Sequence, residues 1–370
     1  MTSSTRWIEE LSPWPRDGFG LERIRALLAA LGDPQLRYPS VHVVGTNGKS
    51  TTTRMTEALL ADAGLAVGAY LSPHVRGWSE RIRVRGAEAD FERAVSAVRA
   101  AAEQVGATQF ETLTAAALRA FADESVDAAV VEAGLGGRHD ATNVLDTRVV
   151  VLTNVALDHT DVLGETREAI AEEKLAVVRP GVVVVLAEPE WQEIAERNGA
   201  ARVELTARSN LALAVDAAEA FLGRAVDPAA AEEVALAGRL ERRGERPLEI
   251  WDGAHNIAGI GYLLPRLPDR RYVVVCSILR DKRPAIVLEA LSVIGDTLVA
   301  TQSHNARAIP AAEVAELAHP FFPRIEVVAA PAAARERALA LAGPDGAVLV
   351  TGSLYLLGDL HGHDQSPHPG

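Results

Sequence analysis

The segment VHVVGTNGKST, residues 41–51, decides the fold. A run of β-favouring residues leads into a glycine-rich turn, and the amphipathic stretch TTRMTEALLADAG follows directly. This order predicts a buried strand, a tight loop and a helix whose N-terminus points at whatever the loop encloses. Backbone N–H groups in such a loop favour an anion. We therefore expect a phosphate-binding loop at this position.

Within the loop, Lys49 is expected to reach the β- and γ-phosphates of a nucleotide, and the hydroxyls of Ser50 and Thr51 are both candidates for its magnesium ion. The spacing GxxGK[ST] is shorter than the standard phosphate-loop pattern, so a chance glycine-rich turn is the competing interpretation. The predicted strand, loop and helix favour binding of ATP or GTP. The expected nucleotide contacts of the loop are Gly45, Thr46, Asn47, Gly48, Lys49, Ser50 and Thr51.

Outward from the loop, short β-rich runs alternate with alanine-rich amphipathic stretches as far as residues 181–188. This alternation predicts βαβ units and a parallel sheet covered by helices. A second series of β-rich runs, from residues 246–253 to residues 346–353, predicts a smaller unit. The predicted fold class is α/β, with a phosphate-loop parallel-sheet domain and a smaller Rossmann-like α/β C-terminal domain. The predicted ranges are 1–235 and 236–360, with a helical connector over 210–238 and a disordered tail at 361–370.

Composition limits the possible partners. The chain has 370 residues, of which 37 are basic and 50 acidic, giving a net charge of −13. This field repels polyanions, so nucleic acid is not an expected partner. No signal peptide or membrane span is predicted, and Cys276 lies in a β-rich run typical of a buried strand. We expect a soluble cytoplasmic monomer that acts on small molecules.

Five further segments resemble the Mur ligase superfamily and, within it, the folylpolyglutamate/dihydrofolate synthase family. The resemblance implies an ADP-forming ligase of folate biosynthesis and one-carbon metabolism. Such a ligase joins L-glutamate to a folate or dihydropteroate carboxylate through an acyl phosphate, with ATP and two Mg²⁺ sites. The segments are YLSPHVRGWSERIRVRG (70–86), FETLTAAALRAF (110–121), VVEAGLGGRHDATNVL (130–145), TNVALDHTDVLGETREAIAEEKLAVVRPG (153–181) and WDGAHNIAG (251–259).

Two of these segments supply candidate metal ligands. Glu132 ends an apolar run, where its carboxylate can hold magnesium at the mouth of a parallel sheet. His159 follows the next β-rich run. Taken alone, such a histidine is more often an ordinary hydrogen-bonded side chain, but the resemblance assigns both residues to magnesium. It adds Ser72 of the SPH motif to the predicted set of Ser50, Thr51, Glu132 and His159.

Lys174 is the third residue expected to be catalytic, beside Lys49 and His159. On a helix next to two glutamates it would ordinarily be a solvated lysine. In similar proteins the matching lysine can be carbamylated by CO₂, which turns a cation into a carboxylate-like group. That chemistry requires a neutral amine, and hence a lowered pKa. A solvent-facing Lys174 would count against it.

The remaining assignments also come from the resemblance. Arg239, Asp252, His255 and Asn256 are expected to contact the nucleotide from the C-terminal domain, and Asn210 to lie on the adenine side. The acyl substrate would need an apolar slot with a few polar edges. Its expected contacts are Phe19, Gly20, Leu21, Phe110, Glu111, His139, Asp140 and Ala141.

Three departures from the family pattern bear on the acyl substrate. The loop has GKST where the family usually has GKGS or GKGT, His139 stands where a leucine is usual, and the stretch between Lys174 and Asn210 is short. Two alternatives therefore stay open. One is a ligase of the same superfamily that acts on another carboxylate, and the other is a nucleotide-binding module without ligase activity.

Overall fold

The computed structural model describes residues 3–15 and 18–364. The chain divides into two compact units. The first comprises Met1–Pro73 and Trp78–Val234, and the second comprises His74–Gly77 and Ala235–Gly370. In the part of the chain that the structure describes, no helix combines the length and apolarity needed to cross a membrane.

The first unit is built on an eight-stranded sheet in the order β4-β3-β2-β5-β1-β6-β7-β8. Six strands run parallel, while β3 and β4 form an antiparallel edge. Strand β1 lies at the centre, between β5 and β6. The strands are β1 (Ser40–Val44), β2 (Val67–Tyr70), β3 (Ile82–Val84), β4 (Ala87–Glu88), β5 (Ala128–Glu132), β6 (Thr147–Leu152), β7 (Val183–Leu186) and β8 (Arg202–Leu205).

Helices cover both faces of this sheet because its central strands are apolar on both sides. All five residues of β1 and of β5 are buried. The helices are α1 (Ser3–Glu10), α2 (Glu22–Ala30), α3 (Lys49–Asp62), α4 (Phe91–Ser96), α5 (Arg99–Val105), α6 (Gln109–Asp123), α7 (Thr160–Leu163), α8 (Arg167–Leu175), α9 (Gln192–Arg197), α10 (Asn210–Leu222) and α11 (Ala229–Glu232). Short 3-10 turns occupy Pro34–Leu36, Trp78–Arg81 and Pro189–Trp191.

Most of the predicted helical connector, residues 210–234, belongs to the first unit, and residues 235–238 belong to the second. Helix α10 begins at the N-cap Ser209, whose hydroxyl accepts a hydrogen bond from the backbone N–H of Ala212. Its buried face, which includes Leu213 and Ala217, belongs to the same hydrophobic cluster as Leu59 of α3 and Val41 of β1. The alanine-rich composition allows this close packing against α3, so the segment completes a core rather than spanning between units.

The second unit carries a six-stranded sheet in the order β13-β12-β11-β14-β10-β9, in which only β9 is antiparallel. The β-rich runs of the sequence form its parallel strands, and the predicted α/β class is confirmed. Cys276 is buried at the end of β11, as predicted, and burial raises the pKa of its thiol to about 12. The strands are β9 (Glu241–Glu245), β10 (Leu248–Trp251), β11 (Tyr272–Cys276), β12 (Thr297–Ala300), β13 (Arg324–Val327) and β14 (Ala347–Thr351). The helices are α12 (Ile257–Leu263), α13 (Pro284–Ser292), α14 (Ala311–Ala318), α15 (Pro331–Ala342) and α16 (Leu354–Asp364), with a 3-10 turn at Leu264–Arg266.

The predicted disordered tail is wrong over its first four residues, because α16 continues to Asp364. His361 is buried, with its ring edge-on to Trp251 at 5.0 Å between centroids and its Nε2 3.4 Å from a carboxylate oxygen of Glu241. This packing holds the last helical turn on the second unit. Residues 365–370 of the predicted tail lie outside the described residues.

Candidate active site

The phosphate loop connects β1 to α3, which begins at Lys49. Gly48, the residue before the helix, has a φ of 82°, in the left-handed region that favours glycine. A Cβ at Gly48 would collide with the side-chain oxygen of Asn210, the first residue of α10. The asparagine predicted on the adenine side thus lies directly against the loop. The first-turn N–H groups of α3 lack helical acceptors and suit an anion there.

The loop is held in shape by the segment that follows β6. The Asn154 side chain accepts a hydrogen bond from the backbone N–H of Asn47 (3.1 Å) and donates one to its carbonyl (2.9 Å). The Thr153 hydroxyl donates to the same carbonyl at 2.7 Å. This brace was not predicted from the sequence. Its signal was the polar pair Thr153 and Asn154, which directly follows β6, the strand adjacent to β1.

Two lysine amines meet at one carbonyl of the loop. Lys174 Nζ donates to the Gly45 carbonyl oxygen at 2.8 Å, and Lys49 Nζ donates to the same oxygen at 3.2 Å and to that of Thr46 at 3.4 Å. The two ammonium groups share one acceptor and therefore repel each other, and burial strengthens the repulsion. The loop therefore concentrates positive charge where the phosphates of a nucleotide are expected.

Lys174 is buried, not solvated, with only 4% of its surface exposed. The pKa of Lys174 is lowered to about 7, mainly because the amine is buried and secondly because the charge of Lys49 lies nearby. A substantial fraction of this amine is therefore neutral near pH 7. The lowered pKa that carbamylation requires is present.

Glu132, at the end of β5, meets the predicted magnesium hydroxyl. Ser50 Oγ donates to Glu132 Oε1 at 3.0 Å, and the Ser72 backbone N–H donates to Glu132 Oε2 at 3.1 Å. All three residues are buried, whereas Thr51 is partly exposed. A loop hydroxyl facing a strand-end carboxylate is the arrangement in which phosphate-loop proteins hold magnesium. The geometry favours Ser50 over Thr51.

His159 occupies the same edge of the sheet, where it precedes α7 in the loop after β6. Its φ of 50° is left-handed, and its backbone N–H is bonded to the Asp158 carboxylate at 3.0 Å. Among the described residues, no group of three or more His, Cys, Asp or Glu side chains is placed to hold a metal ion. The predicted set contains only two residues of these types, Glu132 and His159, and depends on serine and threonine hydroxyls for the rest.

Glu111, predicted to contact the acyl substrate, is engaged in holding helix α6. Its Oε2 accepts hydrogen bonds from the backbone N–H and the hydroxyl of Thr108, both at 2.8 Å, which completes a capping box. The same oxygen accepts from Arg23 Nε of α2 at 2.8 Å. Its neighbour Phe110 packs over Gly134, and the two rings of Phe110 and Tyr70 lie 6.1 Å apart.

The loop after β5 is organised by Asp140. Its carboxylate accepts hydrogen bonds from the backbone N–H of Leu135 (2.7 Å) and from the N–H and hydroxyl of Thr142 (3.0 and 2.5 Å). Burial raises the pKa of Asp140, and these hydrogen bonds oppose the rise. Asp140 and Ala141 are buried, whereas His139 is exposed.

Phe19 and Gly20 line an open depression of about 390 Å³ beside α2. Phe19 is half exposed and packs edge-on against Trp14, with 5.8 Å between ring centroids. Leu21 is instead a core residue. The residues lining the depression include neither Phe110 nor any of the predicted residues 139–141. This depression therefore does not include all of the predicted acyl contacts.

In the second unit, Arg239 and Asp252 lie together where β10 ends. The Asp252 carboxylate accepts hydrogen bonds from the backbone N–H of Leu240 (2.8 Å) and of Ala254 (2.9 Å). Burial raises the pKa of Asp252, and the nearby charge of Arg239 opposes this. The Arg239 guanidinium donates to the Gly238 carbonyl at 3.1 Å.

The other two predicted residues of this unit also make local contacts. His255 Nδ1 lies 2.9 Å from the Gly253 carbonyl oxygen. The Asn256 side chain caps α12 by accepting from the Gly259 N–H at 2.8 Å. The structure brings the four predicted residues of this unit to one edge of its sheet.

Buried hydroxyl groups on the same edge were missed by the sequence analysis. The Ser277 hydroxyl accepts from the Ser303 backbone N–H at 3.0 Å, and the Thr351 hydroxyl donates to the Ala254 carbonyl at 3.2 Å. The signal was a serine within three residues after the end of three strands, β11, β12 and β14. These serines are Ser277, Ser303 and Ser353.

The chain resembles known proteins over both of its units. The chain matches the Mur ligase middle domain over residues 43–221 and the Mur ligase glutamate ligase domain over residues 238–354. It is 32% identical to the dihydrofolate synthase/folylpolyglutamate synthase of Mycobacterium tuberculosis, over 80% of this chain and 77% of that protein. This chain belongs to the folylpolyglutamate/dihydrofolate synthase family.

Solved structures of the family agree in fold. E. coli FolC in complex with DHPP and ADP is 30% identical and superposes with a TM-score of 0.88 over 98% of this chain and 97% of that one. A bifunctional folylpolyglutamate synthase/dihydrofolate synthase with Mn, AMPPNP and L-glutamate bound is 29% identical, with a TM-score of 0.88 over the same shares of both chains. The family resemblance inferred from the motifs is confirmed.

Proposed function

We propose that this protein is an ATP-dependent ligase that forms an amide between the carboxylate of a folate or dihydropteroate and the amine of L-glutamate. One observation carries the proposal. In a chain of this family, Lys49, Ser50 and Glu132 converge at the carboxyl edge of the first sheet, around a braced phosphate loop.

A resting carboxylate does not react with an amine, so one of its oxygens first attacks the γ-phosphorus of ATP and ADP leaves. Lys49 and the loop N–H groups stabilise the charge on the transferring phosphoryl group. The glutamate amine then attacks the acyl carbon. Its N–C bond forms, a proton is lost, and the C–O bond to phosphate breaks. The products are the amide, ADP and phosphate.

The donors around Glu132 fit a hard divalent cation, because carboxylate and hydroxyl oxygens are the ligands that Mg²⁺ prefers. Bound Mg²⁺ would neutralise charge on the phosphates. We assign one site to Ser50, Glu132 and Ser72, with Thr51 as the less favoured hydroxyl, and a second site to His159.

Lys174 is proposed to act as a carbamate. Its neutral amine attacks CO₂, an N–C bond forms and a proton is released, which leaves an anion beside Lys49. This change replaces the repulsion between two ammonium groups at the Gly45 carbonyl with an attraction. Its burial and its lowered pKa support the proposal.

Other residues are proposed to bind the substrates. Asn210, Arg239, Asp252, His255 and Asn256 are assigned to the nucleotide together with the loop. Phe19, Gly20, Phe110, His139, Asp140 and Ala141 are assigned to the acyl substrate. Leu21 and Glu111 support that site indirectly, through the core and the cap of α6.

The function is tested by measuring ADP release with Mg²⁺ and ATP while the acid and the amino acid are varied. Dihydropteroate, dihydrofolate and tetrahydrofolate are each offered with and without L-glutamate. We expect release only when a pterin acid and glutamate are both present. Activity with dihydropteroate alone or with a folate alone indicates a single-function enzyme. Activity with both indicates a bifunctional enzyme.

The panel includes other acids of matched charge, and D-glutamate and L-aspartate as control amines. Turnover with only non-pterin acids would overturn the folate assignment. ATP binding without turnover on any pair would overturn the ligase assignment.

A further inference from the structure

A buried histidine in the central strand of the first unit has no role in the chemistry above. His42 lies in β1, three residues before the phosphate loop, with 1% of its surface exposed. A polar ring in such a position is costly unless its nitrogens are hydrogen-bonded. Its Nε2 lies 2.8 Å from the hydroxyl oxygen of Thr142.

The direction of the hydrogen bonds follows from counting protons. The Thr142 hydroxyl has a single proton, which it donates to Asp140 Oδ1 at 2.5 Å. The contact between Thr142 and His42 must then use a proton on His42 Nε2. The chain of donors runs from His42 through Thr142 to the Asp140 carboxylate.

The electrostatic setting keeps this histidine neutral. Burial, with a smaller effect of the Arg179 charge, lowers the pKa of His42 to about 3. Arg179 also donates to the Asn143 side chain at 3.0 Å, next to Thr142. A neutral ring has one N–H group, and the hydroxyl oxygen of Thr142 accepts its hydrogen bond.

We propose that His42 is a positioning residue for the acyl-substrate site, which it controls by orienting Thr142 and, through Thr142, Asp140. Asp140 in turn fixes both ends of its own loop, at Leu135 and Thr142. The acyl-substrate part of this inference rests on the proposed function. The relay connects the strand that carries the phosphate loop to the loop assigned to the acid.

The tautomer is tested without any enzyme assay. Protein labelled with nitrogen-15 in its histidine rings is examined by long-range proton–nitrogen correlation, with the His42 signal assigned from its loss in His42→Gln. We expect a neutral ring protonated on Nε2 that stays neutral down to the acid limit of folding. A ring protonated on Nδ1, or a protonated imidazolium at pH 6, would overturn the relay.

Kinetics test the positioning role with paired variants. Thr142→Val and His42→Leu break the relay, whereas Thr142→Ser and His42→Gln keep a donor at the same place. Since a hydrogen bond to a charged group is involved, the breaking variants should raise KM for the acid roughly 10-fold or more. KM for ATP should change less than about 2-fold, and the conserving variants should recover most of the loss.

Tyr38→Phe is the matched control, because it removes a buried hydrogen bond of 2.7 Å to the Leu118 carbonyl elsewhere in the same unit. It should lower stability without separating the two KM values. If His42→Leu fails to fold, Thr142→Val decides. Equal changes in both KM values, or no recovery with the conserving variants, would show a merely structural role.

Amide hydrogen exchange separates failure of this inference from failure of the proposed function. Residues 134–142 should exchange faster in Thr142→Val than in the wild type and in Tyr38→Phe. If this holds while no acid supports turnover, the relay stands and the proposed function fails. Unchanged exchange in an active enzyme would refute the relay alone.

Discussion

The two units collect polar side chains at the same place, the carboxyl edge of a parallel sheet, but their electrostatics differ. In the first unit, Lys49 and Lys174 crowd a single carbonyl, and the pKa of Lys174 falls to about 7. In the second, the Asp252 carboxylate accepts hydrogen bonds from the backbone N–H groups of Leu240 and Ala254, and the Asn256 side chain accepts one from that of Gly259. A strongly shifted pKa, as at Lys174, is typical of a site of chemistry. Asp252 and Asn256, which are hydrogen-bonded to backbone, are here called the platform.

The largest expected effect comes from removing the loop amine. Lys49→Met should reduce turnover by about 10²- to 10³-fold, since the ammonium charge that stabilises the transferring phosphoryl group is lost. The measurement is steady-state ADP release, with circular dichroism to show that the fold persists.

Lys282→Met provides the control, because it removes the ammonium group of a buried lysine in the second unit. It should lose less activity than Lys49→Met if the chemistry is concentrated in the first unit. If Lys282→Met lost more activity than Lys49→Met, the chemistry would not be concentrated in the first unit.

Lys174→Met should reduce turnover by roughly 10²-fold, if a positioned anion at this place orients the metal and phosphates. In the wild type, the carbamylated fraction should rise with added bicarbonate and with pH through about 7, where the amine becomes neutral. Carbon-13 NMR with labelled CO₂ detects the carbamate directly. Full activity in a CO₂-free buffer, with no carbamate signal, would eliminate this role.

The same lysine should make stability depend on pH. Its pKa of about 7 lies below the ordinary 10.5, so between these values the unfolded chain binds one proton more than the native protein. Stability should therefore rise with pH across that window, by up to a few kcal/mol, and this group should cause no pH dependence below it. Urea unfolding without nucleotide or CO₂ measures the rise, and Lys174→Met should lack it. Parallel curves for the two proteins would contradict the burial argument.

Asn154→Ala should raise KM for ATP about 10-fold, because it removes the two hydrogen bonds that the Asn154 side chain makes to Asn47. Asn198→Ala removes a comparable bond to the Leu175 carbonyl and serves as control. If the two variants have equal KM for ATP, the brace does not preorganise the loop.

The smallest effect concerns Asn256. As a cap of α12, its replacement by alanine should cost about 1 kcal/mol of stability, which aspartate should restore. If the side chain also faces nucleotide phosphates, Asn256→Asp should raise KM for ATP although stability is recovered. Normal kinetics in that variant would assign Asn256 to the platform alone.

Much of the first unit could be predicted because its signals are local. The loop with Lys49 and Ser50, and the strand-end Glu132, follow from a β-rich run and its next few residues. Asn154 could not be predicted as a brace, because its partner lies 107 residues away. Long-range hydrogen bonds leave no periodic pattern in the sequence.

Two further features of the structure were not predicted. Glu111, predicted to contact the substrate, also forms a capping box, whose local pattern of Thr108 followed three residues later by glutamate was visible in the sequence. The last turn of α16 was assigned to disorder because its composition is polar. Its order depends on His361 packing against Trp251, a tertiary contact.

We propose that the converging Lys49, Ser50 and Glu132 activate a carboxylate by phosphorylation. An isotope experiment checks this step: the pterin acid is supplied with oxygen-18 in its carboxylate, and the released phosphate is analysed by mass spectrometry. We expect one labelled oxygen in each phosphate formed in the presence of glutamate. Phosphate free of label, with amide still produced, would show that the carboxylate is not phosphorylated.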